Sequence, residues 1–388
     1  MARRLRETIT HAHARTAAGR RAVEAGGGME AVRGEGGLAR LPLLRKSDLP
    51  ALQAAEGPFA GWNAVPTEQL RRIFVSPGPI NDPEGSAEDY WGFAPALWAA
   101  GFRPGDLVLN TFAYHLTPAG HMFDAALEAL GCPVIPGGVG NTDAQLRAAG
   151  QLRPRGYIGT PSFLATLLER IEGEAPFRVA FVSGEVLTGA LRAALTERGV
   201  AVSQGYATAD LGLIAYECER REGLHHAGRA FIEIVDPESG GPVGAGVSGE
   251  VVLTFLSEIY PLLRLATGDL SAWDPAPCPC GRGSPRLTRV LGRVGEAVKV
   301  RGMFLHPNEV AVALAALPQV RRYQLVVSRE GHQDRLTARV EGEAGEPTAR
   351  AVADRLREIT RLRAEVEMLP PGSLPEDAPA IVDERRWE

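Results

Sequence analysis

Between about residues 105 and 205, short apolar runs alternate with amphipathic stretches, and this rhythm restricts the fold more than any other feature of the chain. Leu107–Asn110, Pro133–Ile135, Tyr157–Gly159 and Arg178–Val182 read as strands. Ala119–Leu130, Thr142–Leu152, Phe163–Ile171 and Ala190–Arg198 read as helices, with Asn141 or Thr142 as the polar cap of the second. Such a succession predicts a mostly parallel sheet with helices on its faces. Ligands of sheets of this kind sit at the carboxyl ends of the strands.

The texture differs on either side. Residues 1–40 read as helical and then loose, broken by Gly26–Gly28, Gly34, Gly36 and Gly37. After 230, the strands Phe231–Val235 and Glu250–Phe255 flank the turn-rich Pro237–Gly249, which predicts a β-rich subdomain over about 215–291. Further on come a helix (Glu309–Leu317), two strands (Arg321–Val327, Leu336–Val340), a helix (Arg350–Leu362) and a strand (Glu365–Met368). The last helix places Val352, Leu356, Ile359 and Leu362 on one face. The expected fold class is therefore α/β, with a large N-terminal domain (1–293) of mostly parallel sheets plus a β-rich subdomain. A small, mobile α+β domain of roughly ferredoxin-like order (294–388) follows a hinge at Gly292–Glu296.

Composition narrows the function. The chain has 388 residues, 45% hydrophobic, enough for two domains with a sizeable core. A net charge of −5 with no basic stripe argues against nucleic acid as a partner. No run approaches the ~18 apolar residues of a spanning helix, so no membrane partner is expected. The basic start, Met1 to Arg6, is followed by His11 and His13 rather than an apolar core, which argues against a signal peptide. Four cysteines are too few for a disulfide scaffold and point to the cytoplasm. Of the 42 cationic residues only Lys46 and Lys299 are lysines, so any lysine-dependent step must use one of these two.

Two motifs occur in order before the small domain. Tyr260-Pro-Leu-Leu-Arg-Leu-Ala-Thr-Gly-Asp-Leu270 resembles the Tyr-Arg-Thr-Gly-Asp signature of AMP-forming acyl-adenylate enzymes, and Gly292–Gly302 resembles the hinge motif of that family. Leu38–Leu49, Gly101–Asp106, Val134–Leu146, Thr160–Phe163 and Gly205–Asp210 fit the same pattern, so the resemblance covers nearly the whole chain. Met303–Pro307 and Pro371–Pro375 look like the phenylacetate–CoA-ligase-like branch. The resemblance implies an acid–thiol ligase. A carboxylic acid, aromatic by this likeness, attacks the α-phosphate of ATP with Mg²⁺, and coenzyme A then takes the acyl group from acyl-AMP. A homodimer is among the assemblies the sequence allows.

The resemblance also assigns residues. Asp269 is implied to bind the ribose hydroxyls, the alternative being a plain turn aspartate; Arg293 is implied to touch ribose or phosphate, the alternative being a surface arginine. Tyr206, after Gly205, resembles the adenine-stacking tyrosine, or else is a core tyrosine. Ser183, Gly184 and Glu185 resemble the segment lining the adenine and acyl pockets, or form an ordinary strand-to-helix turn. Tyr114, His115 and Thr117 match the wall of the carboxylate site, although His115 reads equally well as a core histidine. Asp210, as the Mg²⁺ ligand, and Arg264, inside the first motif, are the implied catalytic residues.

The pattern is broken in three places. The phosphate loop reads Ser76-Pro-Gly-Pro-Ile-Asn-Asp-Pro83, with Asp82 where the family has lysine, an anion expected to weaken pyrophosphate binding. The C-terminal Gly-Lys dipeptide falls on Ala378-Pro379, which leaves Arg385 and Arg386 as the nearest cations. Asp210 replaces a glutamate. These changes support an alternative reading, a degenerate homologue that binds nucleotide or acyl-CoA and adenylates poorly; an acceptor other than CoA is a third.

Finally, Cys218-x6-His225 with Cys278-Pro-Cys280-Gly281 supplies three thiols and an imidazole, a set suited to a structural, tetrahedral Zn²⁺. His226 is the substitute for His225, and free buried thiols are the alternative. Cys132 reads as core.

Overall fold

The computed structural model describes residues 1–34, 36–76, 79–295, 298–300, 303–305, 307–330, 333–343, 345–360, 362–375 and 378–385. Pro77 and Gly78 of the phosphate loop, Glu296, Ala297, Arg301 and Gly302 of the hinge motif, His306 and Arg386 lie outside them. The chain divides into two compact units, Met1–Val290 and Leu291–Glu388.

The four predicted strands are joined by a fifth, Ala201–Thr208, in a parallel array. Val134–Pro136, Val108–Asn110, Gly156–Gly159, Val179–Val182 and Ala201–Thr208 lie side by side in that order. Gly156–Gly159 and Val179–Val182 are buried throughout, as strands covered on both faces must be. One face carries an aromatic core of Phe93, Phe102, Phe123 and Phe181; Leu109, Tyr157, Leu164, Leu167 and Phe177 form a second core. Local chemistry starts the helices. Thr160 accepts the Phe163 amide ahead of Pro161–Arg170, and Thr188 accepts the Leu191 amide ahead of Gly189–Glu197.

The sheet does not remain parallel. Ala201–Thr208 turns back on itself into Gly212–Tyr216, and Leu224–His226, Arg286–Leu287 and Trp273–Asp274 extend the sheet to nine strands, all antiparallel from that turn onward. Gly212 permits the reversal: its φ is +75°, and a Cβ there would lie 2.6 Å from the Trp91 carbonyl oxygen.

The region expected to be a β-rich subdomain is thus shared between two sheets. Ala230–Val235, Gly249–Phe255 and Leu265–Ser271 form an antiparallel sheet of their own, and Leu44–Arg45 adds to it in parallel with Leu265–Ala266. The N-terminal helices Ala2–Arg15, Ala17–Ala25 and Met29–Arg33 contribute Ile9, Ala12, Val23 and Val32 to the core that includes Phe255 and Leu263. A separate hairpin, Arg72–Ser76 with Ile80–Glu84, was not legible as strands, because Pro83 and two acidic residues disguise its second arm.

In the second unit, helix Pro307–Ala315, strands Val320–Glu330 and Gln333–Gly342, helix Glu346–Thr360 and strand Glu365–Leu369 follow the predicted order. The central pair is antiparallel, and each outer strand, Glu365–Leu369 and Ile381–Asp383, runs parallel to its neighbour. Val352 and Leu356 are fully buried, each stabilising the unit by about 1.5–3 kcal/mol. Among the described residues no helix is long and apolar enough to cross a membrane.

Candidate functional site

Four neighbouring parallel strands end at Asn110, Gly159, Val182 and Thr208. Thr111–Thr117, Thr160, Ser183–Glu185 and Asp210 therefore all leave from the carboxyl edge of the sheet, where such sheets bind ligands. Ser183 donates its hydroxyl hydrogen to the Gly205 carbonyl at 2.9 Å. Gly205 is fixed by packing, since a Cβ there would meet the Phe181 ring at 2.5 Å. Gly184 turns with φ +83°, and Glu185 is exposed, its carboxylate accepting the Ser162 amide at 3.3 Å.

Tyr206 and Asp269, 63 positions apart, are hydrogen-bonded: the phenol donates to Asp269 Oδ2 at 2.8 Å and lies 3.4 Å from Thr267 Oγ1. A built turn presents the aspartate. Gly268 takes φ +80° where the strand register shifts, its amide donating to Glu250 Oε1 at 3.0 Å. The Asp269 amide donates to Thr267 Oγ1, and the Thr267 hydroxyl to the Val251 carbonyl.

Parallel pairing of Leu44–Arg45 with Leu265–Ala266 carries Lys46 alongside Thr267. Its ammonium lies 2.5 Å from Asp210 Oδ2; the Asp210 side chain is fully enclosed, while Lys46 keeps 24% exposure. Asp210 Oδ1 has no hydrogen-bond partner among the described residues. The sequence signal for Lys46 was its rarity alone; nothing in the sequence placed it at this edge.

Asp82 requires a correction. It is not an open anion beside pyrophosphate but a fully buried residue of the hairpin strand Ile80–Glu84. Burial, and then the charge of Asp210, push its carboxyl up to about 8 against the opposing effects of Ser76 and Lys46, so it is protonated at neutral pH. One ammonium among two enclosed carboxylates leaves the second as the neutral acid. The Tyr260 hydroxyl, raised by burial and then by Asp82 and Asp210, shares this environment.

Arg264 is also corrected. It is 2% exposed, with φ +49°. Its guanidinium donates to Glu233 at 3.1 Å and to the carbonyls of Ala39, Leu41 and Gly240. It clamps the segment before Leu44 to the sheet. Arg293 is exposed and belongs to the second unit. So does Arg385, which is 5% exposed and held by Asp334 and Asp383, while the Pro379 carbonyl accepts the Gln324 amide group.

The Tyr114–Thr117 segment forms its own loop. The Tyr114 phenol donates to Asp124 at 2.9 Å and is raised well above its ordinary range by burial and then by that carboxylate. His115 is exposed rather than a core residue, and its carbonyl accepts the Thr117 amide; the Thr117 hydroxyl faces the Ala113 carbonyl at 3.4 Å. Leu116, with φ +61°, anchors the loop to the hairpin through the Val75 amide.

Cys218, His225, Cys278 and Cys280 converge, their ligand atoms all within 4.8 Å of one another. Cys280 Sγ lies 3.3 Å from His225 Nε2, and Cys218 Sγ lies 3.8 Å from Cys278 Sγ. The Ser284 hydroxyl, 3.0 Å from Nδ1, leaves Nε2 facing the sulfurs, and burial lowers the imidazole below its ordinary range. The Arg220 and Arg282 amides each donate to a cysteine sulfur two residues earlier, at 3.4 Å. Partial burial raises the Cys280 thiol, but the Arg282 amide and guanidinium and the neighbouring thiols bring it down to about 7. A donor set of this kind fits a tetrahedral soft cation. His226 instead faces the Ala230 carbonyl at 2.6 Å, and Cys132 is buried.

Comparison with known proteins gives a consistent picture. The family described as the AMP-binding enzyme C-terminal domain matches residues 302–385. The chain is 32% identical over 416 residues to phenylacetate-coenzyme A ligase of Thermus thermophilus, an alignment spanning 96% of this chain and 92% of that protein. It is 30% identical to phenylacetate-coenzyme A ligase of Escherichia coli, over 87% of this chain and 80% of the relative. Among solved structures, an open conformation of 2-hydroxyisobutyryl-CoA ligase in complex with 2-HIB-AMP and CoA is 25% identical, with a TM-score of 0.84 covering 99% of this chain and 90% of that one.

Proposed function

The chain belongs to the phenylacetate–CoA-ligase-like branch of the AMP-forming acyl-adenylate enzymes, and from this premise we propose that it joins a carboxylic acid, aromatic by the names of its relatives, to coenzyme A. The carboxylate oxygen attacks the α-phosphorus of ATP and pyrophosphate leaves. The CoA thiol then attacks the acyl carbon, AMP leaves with the bonding pair of the acyl C–O bond, and the thiol proton passes to solvent. The observation that carries this reading is the Tyr206–Asp269 hydrogen bond at the carboxyl edge of the parallel strands.

In this reading Asp269 accepts the ribose hydroxyls, Tyr206 packs on the adenine, and Gly205 with Ser183–Glu185 lines the base and acyl pockets. Tyr114, His115 and Thr117 border the acid. Arg293 is a ribose or phosphate contact. Lys46 is the ammonium available to the phosphates, with Asp210 as its resting partner. Asp210 Oδ1 would hold Mg²⁺, which would supply positive charge to offset that of the phosphates. Cys218, His225, Cys278 and Cys280 would hold a structural Zn²⁺ that closes the loops around Cys218 and Cys278.

Exchange of labelled pyrophosphate into ATP, run with Mg²⁺ and a panel of aromatic and aliphatic acids, tests the proposal; no exchange with any acid removes it. A second reading, binding of nucleotide or acyl-CoA without adenylation, draws on Pro379 and on the engagement of Arg385 by Asp334 and Asp383. It predicts AMP or CoA binding by calorimetry with no ATP turnover.

A further inference from the structure

Glu217 is a buried carboxylate that the proposed chemistry does not use. It is 2% exposed and sits between Tyr216 and the metal-set residue Cys218. Its Oε2 accepts the Gln204 amide at 3.0 Å, and its Oε1 accepts the Gln204 side chain at 2.8 Å and Arg192 at 2.6 Å. The Glu217 amide returns a bond to the Gln204 carbonyl at 3.0 Å. Gln204 immediately precedes Gly205 and Tyr206.

The same neighbourhood is tied across the sheet. His225 is paired with Tyr216, and Tyr216 with Gly205, so a metal-set residue and the nucleotide segment share one rung. Gly205 has no slack, being held by Ser183 above the Phe181 ring. Hydrogen bonds weaken steeply with distance and angle, so a small shift of the Cys218 backbone loosens the Glu217–Gln204 clasp.

We infer that Glu217 is a positioning residue coupling the Cys218/His225/Cys278/Cys280 centre to the Gly205–Tyr206 nucleotide contact, so that a loaded centre raises nucleotide affinity. This rests on the nucleotide site proposed above. Coupling is reciprocal, so nucleotide must retain the metal by the same factor.

The test uses the full chain loaded with zinc, AMP as the probe, and calorimetry. Stripping the metal with a chelator weakens AMP about tenfold in the wild type and reloading restores it, while AMP slows metal loss to the chelator. Glu217→Ala keeps the metal, binds AMP about tenfold more weakly from the outset, and loses less than about twofold further on stripping. Glu217→Gln, which retains part of the clasp, falls between. The inference is overturned by an equal stripping effect in wild type and Glu217→Ala, by unchanged AMP affinity in Glu217→Ala, or by a chain that takes up no zinc. If the stripped chain unfolds, protection of the metal by AMP, measured on the folded holoprotein, decides. A wild type that binds no AMP in any metal state overturns the nucleotide site itself, and this inference with it.

Discussion

Lys46 and Asp210 are 164 positions apart in the chain, yet the ammonium lies 2.5 Å from the enclosed carboxylate. In the proposed reading this contact brings a lysine to the phosphates, where the resemblance puts Pro379 in the place of the family's C-terminal lysine. Lys46→Met is expected to slow pyrophosphate exchange by about 10²–10³, the scale for removing a charge that acts in the transition state. Folding is checked in parallel by thermal denaturation, because Asp210 loses its partner. Unchanged exchange in a folded Lys46→Met chain would take the lysine out of the reaction.

Asp269→Asn is expected to weaken AMP by roughly tenfold to a hundredfold, through loss of a charged acceptor for two hydroxyls. Tyr206→Phe deletes only the phenol that donates to Asp269, and should weaken AMP by about fivefold. Titration calorimetry reads both. An Asp269→Asn chain with wild-type AMP affinity would place the ribose elsewhere.

Asp82 makes stability depend on pH. Its folded value, about 8, lies above the ordinary carboxylate range, so the native state binds a proton that the unfolded chain releases. The stabilisation is complete below pH ~4 and is lost as pH rises through ~8. Asp82→Asn keeps the neutral shape, so urea denaturation should find it more stable than wild type at pH 8.5 by at least about 1 kcal/mol, with a flatter profile from pH 5 upward. Parallel profiles for the two proteins would show that Asp82 is ionised in the fold.

The purified chain is expected to carry one zinc, because the three thiols and the imidazole of one set converge. Cys280→Ser should lower metal content and the thermal midpoint together, as for a closed structural site. Elemental analysis beside thermal denaturation checks this; a metal-free wild type with an unchanged midpoint would leave four packed side chains and no centre.

Arg264→Ala is expected to cost about 3 kcal/mol of stability, because it leaves the half-buried Glu233 without its cation and three carbonyls without their donor. The folded variant should still bind AMP normally. A loss of AMP binding at full stability would return Arg264 to the site.

The sequence by itself determined most of the elements. Apolar runs and amphipathic stretches located strands such as Val179–Val182 and helices such as Thr142–Leu152 within a residue or two, because period and capping are local properties. Read by resemblance, the Tyr260–Leu270 motif pointed to Asp269 and the Gly205–Asp210 segment to Tyr206, and the cysteine spacing pointed to the metal set. Which side chains meet was decided only by the tertiary structure. Arg264, inside a signature motif, is enclosed by Glu233 and three carbonyls. Asp82 is an anion by composition and a neutral acid by burial. Lys46 reaches Asp210 because Leu44–Arg45 adds to a strand more than 200 residues away. Charge state and partnership depend on burial and long-range pairing, and neither is written in the neighbouring residues.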